Sequence, residues 1–236
     1  MTKLYQKDEV WFAVVWIIAY IVGTSIFDGF DTKLYTLVYH VLFSSCLVFW
    51  LYKNSLRKEY GLCLPSIVAR RMLFYIPLFV FASCNLWAGF KMQYTITETI
   101  YYVLSMLCVG FIEEMLFRGF LFKAISKDNM KMAIIISSIT FGIGHIINLF
   151  NGSGAMLLPN ICQILYAIAF GYLAVILFVK TNSLWPSIIT HSFMNASSAF
   201  ANDIIMYRND VQIIVSIVLM VIAFSYAEYI RLKNSV

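Results

Sequence analysis

GFIEEMLFRGF, residues Gly110 to Phe120, puts two glutamates and an arginine inside a run otherwise apolar enough for a lipid bilayer. An ionisable group at the centre of a membrane span costs roughly 2.5–3.5 kcal/mol on insertion scales, so such groups face a protein interior or a water-filled cavity. Glu113, Glu114 and Arg118 therefore need a reason to be there. On a helix Glu114 and Arg118 stand at i and i+4 on one face, the spacing at which a carboxylate meets a guanidinium. Glu113 points elsewhere and has no local partner, which makes it the stronger candidate for chemistry. The competing reading is that all three groups form a polar network whose work is only to hold helices together.

The chain around this stretch has 236 residues, 61% of them hydrophobic and 12% charged. A soluble domain carries roughly twice that charged share, so this is a membrane protein. No Gly/Ser/Pro-rich linker, low-complexity tract or internal repeat divides it, and residues 1–236 read as a single domain. The net charge of +5 is what the positive-inside rule gives a multi-spanning protein, and no nucleic-acid partner is expected. Cys46, Cys63, Cys84, Cys108 and Cys162 have no C-x-x-C spacing, and no disulfide is expected. The apolar run from Val10 to Phe27 is longer than a signal-peptide core of roughly 7–15 residues and reads as a retained first span.

At about 20 apolar residues per span, helices are predicted near 10–29, 35–52, 71–90, 99–123, 131–150, 160–179, 184–201 and 211–230. The predicted fold is an all-α polytopic bundle of about eight transmembrane helices. Lys53, Arg57, Lys58, Arg70 and Arg71 crowd the second connection, and Lys123, Lys127 and Lys131 the fourth. Those connections are expected in the cytoplasm, and with them both termini. Asn151 to Gly154, NGSG, reads as a loop, and TNSLWP supplies cap candidates before Pro186 near a helix start.

Two of the three histidines lie in later spans: His145 in FGIGHIINLF and His191 in WPSIITHSFMN. His191 is followed at i+4 by Asn195, so an imidazole and a carboxamide share a face. At about 1.5 Å per residue, Glu113 lies roughly 15 Å from Lys123, His145 roughly 21 Å from Lys131, and His191 roughly 10 Å from Leu184. All three fall in the middle third of their spans. A lone membrane histidine is usually a packing residue; two of them with an asparagine and a spare glutamate favour a site.

In this order the residues resemble the CPBP family of intramembrane endopeptidases, which includes type II CAAX prenyl proteases and bacterial bacteriocin-processing and self-immunity proteins. The family pattern EExxxR is matched by Glu113, Glu114 and Arg118, FxxxH by Phe141 and His145, and HxxxN by His191 and Asn195. Trp185 and Pro186 match the pair that often precedes the third motif. The motif-bearing core is expected over about 99–201. The resemblance implies a conical eight-helix bundle whose cavity opens toward the cytoplasm. It makes Glu113 and His145 the activators of a water, His191 and Asn195 the stabilisers of the oxyanion, and Glu114, Arg118 and Phe141 the support.

Peptide hydrolysis needs a nucleophile, a proton acceptor that later donates to the leaving amine, and donors aimed at the oxyanion. These residues supply all three without a cofactor. The same atoms also make a His₂Glu set of the kind that holds catalytic zinc, with Glu113, His145 and His191 as ligands. Asn195 is an unusual zinc ligand and a natural oxyanion donor, which favours the metal-free reading. A proton-coupled transporter would also use intramembrane Glu and His, but repeat symmetry is missing. A non-catalytic immunity or scaffold protein is the third alternative. The short chain and brief loops suit a bacterial plasma-membrane member acting on a peptide or lipidated-peptide substrate within the bilayer. Processing of a small peptide precursor or bacteriocin self-immunity is the expected role.

Overall fold

The computed structural model describes residues 1–66, 75–150, 156–206 and 208–233. The cations Arg70 and Arg71 and the loop Asn151 to Gly154 lie outside them. All named elements are helical: α1 (Thr2–Lys7), α2 (Glu9–Asp28), α3 (Lys33–Lys53), α4 (Ile76–Ser83), α5 (Ile96–Glu114), α6 (Lys123–Ser126), α7 (Met130–Gly144), α8 (Leu157–Thr181), α9 (Trp185–Ser197), α10 (Asp203–Met206) and α11 (Asn209–Leu232). A π-helical segment, Met115–Phe122, joins α5 to α6. A 3₁₀ turn, His145–Leu149, continues α7.

Helix starts follow the sequence. Asp8 caps α2 by accepting from Trp11 N at 3.0 Å, Thr32 caps α3 and Asn129 caps α7, each satisfying an otherwise orphaned N–H. At α9 the TNSLWP stretch marks the helix start, but the N-cap position is Leu184, with no side-chain cap, rather than one of its polar cap candidates. Pro186 sits in the first turn, and Ser183 Oγ accepts from Trp185 N at 3.3 Å.

Among the described residues six helices are long and apolar enough to cross a membrane: Glu9–Asp28, Lys33–Lys53, Ile96–Ser126, Met130–Leu149, Leu157–Thr181 and Asn209–Leu232. These correspond to six of the eight predicted spans. The predicted span 71–90 is described from residue 75, where the apolar helical stretch Ile76–Leu86 is short. The predicted span 184–201 is the 13-residue α9 followed by a 3₁₀ turn, Ser198–Phe200. Thirteen residues at about 1.5 Å each cover about 20 Å, less than the hydrocarbon thickness of roughly 30 Å. Its density of polar residues explains the short length: Thr190, His191 and Ser192 are all buried against protein rather than facing lipid.

Two ends of the bundle differ in charge. At one end Lys127 pairs with Glu9, Tyr60 O–H donates to Tyr5 at 3.0 Å, and Leu184 N donates to Gly61 O at 2.9 Å. Gly61, at φ +75°, allows that last contact, because a Cβ there would overlap the Phe178 ring. At the other end Lys33 pairs with Asp28 at 2.9 Å. Thr32 Oγ1 and Lys33 N both donate to Glu98, each at 2.7 Å, and Phe90 bridges to Ala201. The first end gathers most of the cations and holds both described chain ends.

Candidate active site

The site forms where α5 meets α9. A Cβ on Gly110 would lie 2.5 Å from Ser192 N, so only glycine lets the two helices come this close. Ser192 Oγ then donates to Leu107 O at 2.9 Å and locks the contact. Glu113 and Glu114 follow at the end of α5, immediately before the helix widens into its π-helical segment. Such widened turns recur at functional sites because they re-aim side chains within a continuous helix.

Glu114 and Arg118 are fully buried and face each other, with Arg118 Nη1 3.2 Å from Glu114 Oε1. The guanidinium carbon lies over Phe141, 4.0 Å from the ring centroid, and a Cβ on Gly171 would stand 3.2 Å from Nη2. Its charge is met by one carboxylate and an aromatic face rather than by a fork of hydrogen bonds. This is the pairing that the i, i+4 spacing predicts.

Glu113 has partners that the local sequence does not show. Its Oε1 accepts from Tyr20 O–H at 2.8 Å, and its Oε2 lies 3.5 Å from His191 Nε2. The other ring nitrogen, His191 Nδ1, is 3.0 Å from Glu114 Oε1. His191 thus bridges the two consecutive glutamates. Phe141 and Phe170 flank its ring at centroid distances of 5.5 and 5.4 Å.

His145 begins the 3₁₀ turn after α7. Its Nδ1 faces Phe141 O at 3.1 Å. A carbonyl only accepts, so Nδ1 carries the hydrogen and Nε2 of the neutral ring keeps a lone pair. Asn160 Nδ2 donates to His145 O at 2.8 Å and fixes the turn. Glu113 and His145 line one cavity of about 110 Å³, together with Tyr20, Thr24, Phe117 and Phe141 among others. That volume admits a few waters at roughly 30 Å³ each.

Asn195 stands one turn beyond His191 and is half-buried. Its carbonyl accepts from Ser198 Oγ at 2.6 Å, and neither Asn195 nor His191 is among the residues lining the cavity. Two contributors come from the motif-free first spans. Tyr20 holds Glu113. His40, fully buried, links Ser105 Oγ at 2.7 Å to Thr24 Oγ1 at 3.0 Å and so ties α2 and α3 to α5 beside the cavity. The one signal in the sequence was that His40, too, is an imidazole inside an apolar span. The alternative zinc set is not gathered as a ligand cluster: among the described residues no three His, Cys, Asp or Glu side chains converge on a point that could hold a metal ion.

Residues 95–197 match the family described as type II CAAX prenyl endopeptidase Rce1-like. The matched stretch runs from the N-cap of α5 to the end of α9 and contains every motif residue. Comparison with curated proteins gave no match.

Proposed function

We propose, from the premise that residues 95–197 are the core of an Rce1-like type II CAAX prenyl endopeptidase, that this multi-pass membrane protein hydrolyses a peptide bond using Glu113 and His145. The observation that supports this most directly is their meeting in one water-sized cavity within an apolar bundle. A water held there gives a proton to Glu113 as its oxygen attacks the scissile carbonyl. The proton then passes to the leaving amine as the C–N bond breaks. Tyr20 holds the Glu113 carboxylate in place, and Nε2 of His145 is the second acceptor facing the water.

The oxyanion is assigned to His191 and Asn195, which project from one face of α9. Donors on that face stabilise the negative charge that develops on the carbonyl oxygen, the form of stabilisation that accelerates acyl transfer most, and Glu114 Oε1, 3.0 Å from Nδ1, holds the His191 ring in place there. Glu114, Arg118 and Phe141 position that ring. No metal is assigned to the reaction.

The substrate class we assign is a small membrane-associated peptide precursor in a bacterial plasma membrane, cleaved for maturation or bacteriocin self-immunity. The test is incubation of the purified protein in detergent with a quenched fluorescent peptide library, with products identified by mass spectrometry. Cleavage at discrete bonds supports the reading; a well-folded protein that cleaves nothing favours a transporter or scaffold.

A further inference from the structure

The catalytic cavity is sealed in one direction and open in the other. Between Glu113 and the cation-rich end the bundle is filled by buried Phe12, Trp50, Tyr60 and Phe120. The Phe120 ring centroid is 5.1 Å from that of Phe12, 5.7 Å from Trp50 and 5.1 Å from Tyr60. Rings in contact at this spacing are close-packed core, with no passage for a peptide.

Toward the opposite end the lining loosens. Its floor is buried Phe117 and Phe141, and further along α2 and the 3₁₀ turn its walls are half-buried Thr24, Ser25, Ile147 and Asn148. A Cβ on Gly144, in the same wall, would meet nothing within 4 Å. Both walls run away from the cation-rich end, α2 from Glu9 and α7 from Met130, so the cavity opens between them as they leave it. The resemblance to the family implies a mouth on the cytoplasmic side; here the geometry and the charges point the other way.

The charges are unambiguous in direction. The sealed end carries Lys3 and Lys7, Lys53, Arg57 and Lys58, Lys123, Lys127 and Lys131, Lys180, and Arg231 and Lys233, whereas Lys33, Lys91 and Arg208 are the described cations of the open end. An excess of Lys and Arg in short connections marks the cytoplasmic face.

We infer that the active site is served from the extracytoplasmic leaflet, so that the substrate is a membrane-anchored peptide whose scissile bond lies in the outer half of the bilayer and enters between α2 and α7. A lipidated tail presented from the cytoplasm would meet the aromatic seal instead. The chemistry rests on the endopeptidase reading above; the sidedness rests only on the cavity and the charges.

A membrane-impermeant maleimide applied to intact cells tests it, in a background where exposed Cys46 and half-buried Cys63 are serine. Ser25→Cys at the mouth should label from outside, and Lys58→Cys, exposed at the sealed end, only after permeabilisation. The reverse pattern, or a Ser25→Cys that labels only after permeabilisation, overturns the inference; Thr24→Cys replaces Ser25→Cys if the latter does not accumulate. Labelling needs no turnover, so loss of the endopeptidase reading leaves this result standing. Conversely, a purified protein that cleaves peptides while Ser25→Cys labels only from the cytoplasm removes the sidedness alone.

Discussion

Glu113 and Glu114 are neighbours in the chain with different environments, and the difference sets their expected roles. Glu114 is fully enclosed with Arg118 and His191, whereas Glu113 retains 16% side-chain exposure and faces the cavity. Glu114→Ala should therefore destabilise the protein, because it strands a buried guanidinium, and breaking such a pair costs about 3–5 kcal/mol. Thermal unfolding in detergent reads this directly, and a stable, monodisperse but inactive Glu114→Ala would overturn the division of labour. Tyr20→Phe should keep the fold and lose a hydrogen bond to a charged group, worth about 1.5–3 kcal/mol, which corresponds to about a ten- to hundredfold loss in kcat/KM. Steady-state kinetics with an unchanged rate would remove Tyr20 from the site. The motif residues were legible because charge and imidazole in an apolar run demand a physical reason. Tyr20 was not, since a tyrosine in a membrane span is ordinary and its partner lies 93 positions away.

At the scale of elements, α9 shows most clearly what sequence patterning misses. Counting apolar residues made it a full span, yet it runs for only 13 residues, with Ser187, Thr190, His191 and Ser192 buried against protein and Trp185, Ile189 and Phe193 exposed on the other face. The six long spans were legible from hydropathy because lipid imposes a length on any helix that faces it. What α9 needs is close approach to α5, and Gly110 provides it. Gly110→Ala should push the helices apart and carry His191 away from both glutamates, with the loss of about 1–3 kcal/mol typical of overpacking and loss of activity. Gly144→Ala, whose added methyl meets nothing within 4 Å, should unfold at the wild-type temperature. Equal unfolding temperatures for the two variants would show that the α5–α9 contact tolerates a methyl and that its tightness is not what seats His191.

At the scale of the whole molecule, two chain halves with different legibility build one site. Residues 95–197 match the family and hold every motif residue, while α2 and α3 carry none, yet they supply Tyr20, His40 and the Phe12 and Trp50 rings of the aromatic seal. Metal dependence is a property of the whole purified protein. Elemental analysis should find no stoichiometric zinc and a chelator should leave activity intact, whereas one zinc per active chain would restore the Glu113, His145 and His191 ligand set. The central claim is that Glu113 is the proton acceptor of an intramembrane peptidase. Its most direct test compares wild type with Glu113→Gln, reconstituted side by side in proteoliposomes with a quenched fluorescent peptide library and matched for unfolding temperature. The account predicts cleavage by the wild type and none by the equally folded variant; cleavage by Glu113→Gln at the wild-type rate would contradict it.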